Sequence, residues 1–341
     1  MARIVEAADP RVRARWIPAP AHPDRAADIW VDWKADPATG VAPAPAYNQV
    51  FVDPTASAGP GAINGRRTYG ACCLQRQNLI PFLHQLHNTL YVLGTTGPII
   101  LGIVAIAWMI DSVFGFYLTL PKGTKGRTFW TKWKAAWTIK PRAKSERRTL
   151  DLHRAPGLWI WGLLLITAIS SLAVTLKHEV FEPTVNVFSS ITEPAYEARP
   201  MRAPRDVVIA TLTFDDAVAR ATTAARGANI RADFWGAYDA AEMGVYGVAF
   251  GDEAEPGIGP SWIFLDSTDG RILDVIPSTG GTAGDVFTRM QLPLHTGNIG
   301  GLATRILMCA AGLTVVLLSI TGVLIWARKR RARIASDRRR A

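Results

Sequence analysis

The chain has 341 residues, 49% of them hydrophobic, a net charge of +10, a pI near 9.8 and three cysteines. No CxxC pair and no Cys/His spacing of a zinc site occurs, which excludes a disulfide-built or zinc-finger scaffold. The basic charge does not point to nucleic acid, because the Lys and Arg runs abut long apolar stretches.

In chain order, the first 45 or so residues are rich in Pro, Ala and charge, a composition that predicts a loosely ordered start. Three nearly charge-free stretches follow: Tyr91–Leu120, whose one charge is Asp111, then Gly157–Leu176 and Ala303–Ala327. Each is long enough to cross a bilayer, which takes about 20 helical residues. The competing reading is three buried helices of a soluble core, which would carry polar positions on one face. Eleven Lys and Arg lie between Pro121 and Arg154, against Glu146 and Asp151, and eight follow Ala327, against Asp337. Basic flanks stay on the cytoplasmic side and contact anionic lipid. The stretch Glu179–His295, with 17 Asp and Glu against 8 Arg, then lies outside.

The fold class this implies is an integral membrane α-helical bundle of three transmembrane helices with a periplasmic α+β domain. Its segments are 1–86 (periplasmic), 87–120 (span), 121–154 (basic loop), 155–178 (span), 179–298 (periplasmic domain), 299–327 (span) and 328–341 (basic tail). Within the periplasmic domain, Phe214–Arg226 has helical spacing, with Asp215 and Asp216 suited to the first turn. Val245–Phe250 and Ser261–Leu265 read as strands, and Ser267–Gly270 as a turn into Arg271–Val275.

An internal repeat organises the chain. One copy runs Val50-Phe-Val-Asp-Pro-Thr55, Gly65-Arg66, then Ile80-Pro-Phe-Leu-His-Gln-Leu-His87 and the first span. The other runs Ile263-Phe-Leu-Asp-Ser-Thr268, Gly270-Arg271, then Met290-Gln-Leu-Pro-Leu-His295 and the third span. Gly115 follows His87 by 28 residues and Gly322 follows His295 by 27. The second copy has a span of its own before it and the first does not, so a further apolar helix is expected upstream of the first copy.

Five of the six histidines, His84, His87, His153, His178 and His295, lie at or near span ends; His22 lies in the Pro- and Ala-rich start and is assigned no role. Ionisable groups at membrane depth are costly and mark function, although an interfacial imidazole is also tolerated as an amphipathic ring. The length from His153 to His178 puts them on opposite faces, with His153 cytoplasmic and the other four outside. His87 and His295, at equivalent repeat positions, suit axial ligation of a b-type haem between helices. Gly94, Gly97, Gly297, Gly300 and Gly301 either admit a flat macrocycle or serve turns and helix contacts. Zinc is the rival metal. His84 is placed to ligate or to contact a propionate or the substrate, and His178 is the weakest candidate. Asp111 is placed to pair with His153 or an Arg, to relay protons, or to make a structural hydrogen bond. Cys72 and Cys73 read as incidental thiols or as one partner in a disulfide to another chain.

Leu152-His153-Arg-x-x-Gly-Leu-Trp, Pro293-Leu-His295-Thr-Gly-x-x-Gly-Gly, Thr321-Gly322-x-x-x-Trp326 and Asp111-Ser-x-x-Gly-Phe-Tyr-Leu-Thr-Leu-Pro121 together resemble the PepSY-associated transmembrane family, over roughly residues 45 to 331. The resemblance implies a bacterial inner-membrane protein with PepSY-like periplasmic modules. Some members of that family are ferric-siderophore reductases that move electrons across the membrane through b haems, and others are known only as iron-regulated. It implies haem ligation at His87, His153 and His295. The family's first helix, with a His-Arg motif, is not in this sequence, so His153 has no cytoplasmic His partner here. The function this predicts is transmembrane electron transfer from a quinol or protein donor to a periplasmic ferric siderophore. The alternatives are a non-catalytic module that binds a periplasmic protein or peptide, and a truncated remnant of the reductase.

Overall fold

The structure, a computed structural model, describes residues 1–19, 25–53, 55, 62–72, 75–92, 94–123, 128–251 and 256–340. In chain order its elements are α1 (Ala2–Ala8), β1 (Val12–Pro18), β2 (Ala27–Trp33), β3 (Gln49–Val52), β4 (Ile63–Arg67), α2 (Arg76–Thr89), α3 (Thr96–Thr119), α4 (Phe129–Trp133), α5 (Ser145–Trp159), α6 (Trp161–Thr175), α7 (Glu182–Asn186), α8 (Phe214–Gly227), β5 (Phe234–Ala240), β6 (Val245–Phe250), β7 (Ser261–Asp266), β8 (Ile272–Ile276), α9 (Ala283–Thr296) and α10 (Gly301–Arg340). They form two units. The first comprises Met1–Gly97 and Thr184–Arg289, the second Pro98–Pro183 and Met290–Ala341.

The first unit is built on one antiparallel sheet of order β4-β3-β2-β1-β5-β6-β7-β8. It consists of two four-stranded meanders joined through their first strands, with Trp16 opposite Tyr238 and Ile17 opposite Ala237. Each meander has a helix before it and a helix after it: α1 and α2 for the first, α8 and α9 for the second. On α8, Ala217, Ala221 and Ala225 recur at a spacing of four, which puts them on one face. Their small side chains pack against Ala237, Val248, Phe250, Ile263 and Leu265. Thr213 and Asp216 start α8 with a capping box, in which each side chain bonds the other's backbone N–H. Val5 of α1 packs likewise on Val12, Ala14, Ile29, Val31 and Val50.

The loose start expected from composition is therefore wrong: α1, β1 and β2 lie within it. Val12 and Ala14 alternate with arginines, Ile29 and Val31 lie either side of Trp30, and all four are buried at strand period. The first repeat copy is accordingly a complete helix–sheet–helix module. In both copies the aspartate after the third strand closes the same turn. Asp53 Oδ1 accepts from Thr55 N at 2.8 Å and Oγ1 at 2.7 Å. Asp266 Oδ1 accepts from Thr268 N at 2.8 Å. The glycines matched in the repeat are not equivalent. Gly65 lies within β4 opposite Phe51, whereas Gly270 sits in the turn before β8 at φ +74°. Structural register pairs Ile63 with Ile272 instead, because these face Val52 and Leu265.

In the second unit, α3 and Asn298–Arg340 are long and apolar enough to cross a membrane. Only 17% and 11% of their apolar windows are buried, so the soluble-core reading fails. The second expected span is not one straight helix. It breaks at Ile160, and α5 and α6 meet at 68°. At 15 residues, or about 22 Å, α6 is shorter than a bilayer core. Taken together, α5 and α6 are apolar and long enough for one broken span or a re-entrant loop. The reach from His153 to His178 is therefore not that of a continuous helix, and His178 sits in a π-helical turn, Lys177–Phe181.

Side-chain bonds fix the chain around that break. Asp151, fully buried on α5, accepts from Arg147 Nε at 2.9 Å, Arg154 Nη2 at 3.2 Å and Lys140 N at 3.4 Å. Arg328 of α10 donates to Thr149 and Ser145 at the start of α5. Trp161 donates to Ser112 O at 2.9 Å, and a Cβ on Gly102 would enter the Leu176 side chain, so α3 and α6 lie close together.

Candidate functional site

Two of the five span-end histidines are fastened across the second unit. His153 Nδ1 on α5 lies 3.1 Å from Leu318 O and 3.0 Å from Thr321 Oγ1, both on α10. A Cβ on Gly322 would come to 3.3 Å from the same ring. A carbonyl only accepts, so Nδ1 carries the proton. His295 Nδ1 on α9 lies 3.1 Å from Oγ of Ser170, a fully buried residue of α6. Both rings are half-buried.

The other histidines are held differently. His84 is exposed, with Nδ1 2.8 Å from Tyr69 Oη and Nε2 3.0 Å from Asn88 Nδ2. Asn88 Nδ2 also lies 3.4 Å from Nδ1, so Tyr69 and Asn88 between them engage both ring nitrogens. His178 is exposed and paired through Nδ1 with Glu182 Oε2 at 2.7 Å. His87 is exposed in the last turn of α2, on the same helix as His84, and belongs to the first unit, whereas His295 belongs to the second. His22 and Cys73 fall outside the described residues; Cys72 is exposed, as is Cys309 on α10.

The haem reading can be tested on this donor set. A ligating imidazole typically holds its second nitrogen in a hydrogen bond, so the Nδ1 bonds of His153 and His295 fit Nε2 ligation. His84 instead has both nitrogens in bonds, to Tyr69 and Asn88. For zinc, no group of three His, Cys, Asp or Glu side chains is placed to hold a metal ion among the described residues. Asp111 is exposed on α3, and its side chain bonds no described residue; the pairing with His153 is not made. Gly94, Gly297 and Gly301 take φ of +70°, +75° and +65°, the left-handed region that favours glycine.

The first unit holds a separate cleft of about 960 Å³, lined in part by Arg3, Arg13, Trp33, Arg202, Val208 and Asp239. An ion-pair chain crosses the β1–β5 junction beneath it. Arg15 reaches Asp32 at 2.8 Å and Glu242 at 3.0 Å, while Arg13 lies 3.8 Å from Asp239. Asp239 is 3% exposed. Burial pushes its carboxyl up to about 7, against the pull of Arg13 and with a further push from Glu242 and Glu6.

Sequence reasoning did not single out Ser170 or this charged junction. Ser170 carried a signal nonetheless: a Ser-Ser pair inside an otherwise apolar stretch has to place its hydroxyls on backbone or on a neighbouring helix. Thr321 stood in the quoted motif beside Gly322, without an assigned role.

A comparison with curated proteins gives no match. The family model of the PepSY-associated TM region matches residues 2–329, and with the apolar helices described above this makes the chain a membrane protein that belongs to the PepSY-associated transmembrane family.

Proposed function

We propose that this chain is an inner-membrane b-haem protein with three spans, which passes electrons across the membrane and reduces the iron of a periplasmic ferric siderophore. The observation that carries the reading is the mode of attachment of His153 and His295, each held through Nδ1 by a neighbouring helix, as metal-ligating imidazoles are. His87, at the repeat position equivalent to His295, joins them as a candidate ligand. A b haem would supply one-electron chemistry at such histidines. The protein's part is to fix the rings and shield them from water. The donor would be a quinol or another protein, and the acceptor Fe(III), which takes one electron to become Fe(II) and loses affinity for hard oxygen ligands. In this reading the chain is an enzyme, a ferric-chelate reductase. The basic clusters of residues 121–154 and 328–341 support a cytoplasmic placement for both, with the sheet domain periplasmic.

The cleft in the first unit favours a second reading, a module that binds a periplasmic protein or peptide without redox chemistry. A reduced-minus-oxidised spectrum of the purified protein separates the two. A Soret shift and a sharp α band on dithionite reduction support the haem reading; a featureless spectrum after expression with ample haem overturns it.

A further inference from the structure

We propose that Ser170 is a positioning residue for His295: its hydroxyl receives the imidazole Nδ1 proton and so makes Nε2 the nitrogen that offers a lone pair to a bound metal. This rests on the haem reading only for the identity of what Nε2 binds. The argument is a count of protons. Ser170 Oγ donates its one proton to Thr167 O, 3.0 Å away on the same helix. A hydroxyl so committed has only lone pairs left, so the 3.1 Å contact with His295 Nδ1 requires the ring to donate. Ser170 is fully buried, so water does not replace it as the acceptor.

The same arrangement recurs with the helices exchanged. Thr321 Oγ1 donates to Leu317 O at 2.7 Å, and His153 Nδ1 lies 3.0 Å from that oxygen. There the neighbouring Leu318 O, which only accepts, requires the same tautomer independently. In both pairs a histidine from a helix that precedes an apolar helix meets a back-bonded hydroxyl on another apolar helix: α5 on α10, and α9 on α6. A Ser or Thr in an apolar helix bonds its i−3 or i−4 carbonyl. That bond also polarises the oxygen and strengthens it as an acceptor. Fixing the proton on one nitrogen of an imidazole is what orients the other as a ligand.

The test reads the tautomer directly. Full-length protein labelled with ¹⁵N-histidine and reconstituted in lipid bilayers is examined by solid-state NMR of the ring nitrogens. The expected result is an N–H at Nδ1 and none at Nε2 for both His295 and His153. Ser170→Ala should move the His295 proton wholly or partly to Nε2 and leave His153 unchanged, whereas Ser170→Thr, which keeps a hydroxyl, should restore the original pattern. An N–H on Nε2 of His295 in the unaltered protein overturns the proposal even if no variant folds, and so does a His295 signal unmoved by Ser170→Ala. Locked tautomers in protein that takes up no haem would leave this inference standing and remove the haem reading. A Soret band with the proton on Nε2 of His295 would do the reverse.

Discussion

Trp16 occupies the space in which Gly236 would place a side chain: a Cβ built on Gly236 would clash with Cζ2 of the indole ring. The two residues sit on β1 and β5, the strands that join the two meanders, and the ring is confined further by Trp235 at 5.1 Å and Trp262 at 6.5 Å between centroids. Gly236→Ala therefore has to displace a large, packed side chain at the junction. Overpacking of this kind typically costs about 1–3 kcal/mol. The expected outcome is a lower melting temperature, with faster hydrogen exchange concentrated in β1 and β5. Unchanged protection of those two strands would mean that the junction repacks without cost.

Asp239, on the same strand as Gly236, makes the junction sensitive to pH. Its folded value of about 7 lies above the ordinary 3.8, so folding takes up a proton between these limits. Its contribution to stability is fully present below about pH 4, declines as pH rises, and is lost above 7, with a total on the order of a few kcal/mol. Asp9 and Asp266 act oppositely and lower down, since hydrogen bonds from Arg11 and Tyr47, and from Thr268 and Arg199, hold them below the carboxylate range. Asp239→Asn should therefore flatten the melting profile between pH 4 and 8 and leave the acid limb in place. Parallel profiles for the two proteins would show that Asp239 is not buried uncharged.

Much of this architecture was legible because it repeats. The motif Val-Phe-Val-Asp and its partner Ile-Phe-Leu-Asp marked β3 and β7, and the turn aspartates Asp53 and Asp266 do the same work in both. The α8 helix was legible from its alanine spacing and its acidic first turn. What escaped was the first module's opening, α1 to β2, because Pro and charge dominate its composition, while its few apolar residues are buried by packing on one another and on β3, and β1 also pairs with β5, more than 200 residues away. The bend at Ile160 also escaped, since hydropathy measures apolar length and not direction. At the histidines the sequence showed residue type and closeness to the apolar stretches. Which ring nitrogen is engaged depends on Ser170 and Thr321, contributed by other helices.

Asp151 offers a test of how the basic loop is held. Its buried carboxylate answers two arginines and the Lys140 amide. Removing one partner of a buried ion pair typically costs about 3–5 kcal/mol, because the remaining charge is left uncompensated. Arg147 is 43% exposed at its side chain, so the lower end of that range applies to Asp151→Ala. Limited proteolysis should show new cleavage between residues 134 and 144. A digestion pattern identical to that of the unaltered protein would show that the loop is held by other contacts.

Orientation is checked by fusion. A reporter active only in the periplasm, joined after residue 240, should be active, and the same reporter at the C-terminus should be silent. The basic clusters at Lys122–Arg148 and Arg328–Arg340 motivate this expectation. The reverse pattern would place the sheet domain in the cytoplasm and remove a periplasmic substrate from consideration.

The histidines separate by substitution. His295 is tied to Ser170 and His153 to Thr321, each through Nδ1, whereas His84 has both nitrogens engaged, with Tyr69 and Asn88, on an exposed helix face. If haem is bound as proposed, His295→Ala removes an axial imidazole and abolishes the low-spin spectrum of that centre. His87→Ala should abolish the same centre, since His87 is the repeat equivalent of His295. His84→Ala should leave the α band in place, because the bonds it loses are to Tyr69 and Asn88. His22→Ala and His178→Ala serve as comparisons, the second losing an exposed ion pair with Glu182 that is worth little. The measurement is haem per chain, by pyridine haemochrome, on protein matched for yield. Retention of the α band in both His295→Ala and His87→Ala would overturn the pairing. Loss of it in His84→Ala alone would show that the bonds to Tyr69 and Asn88 open to free that ring for ligation.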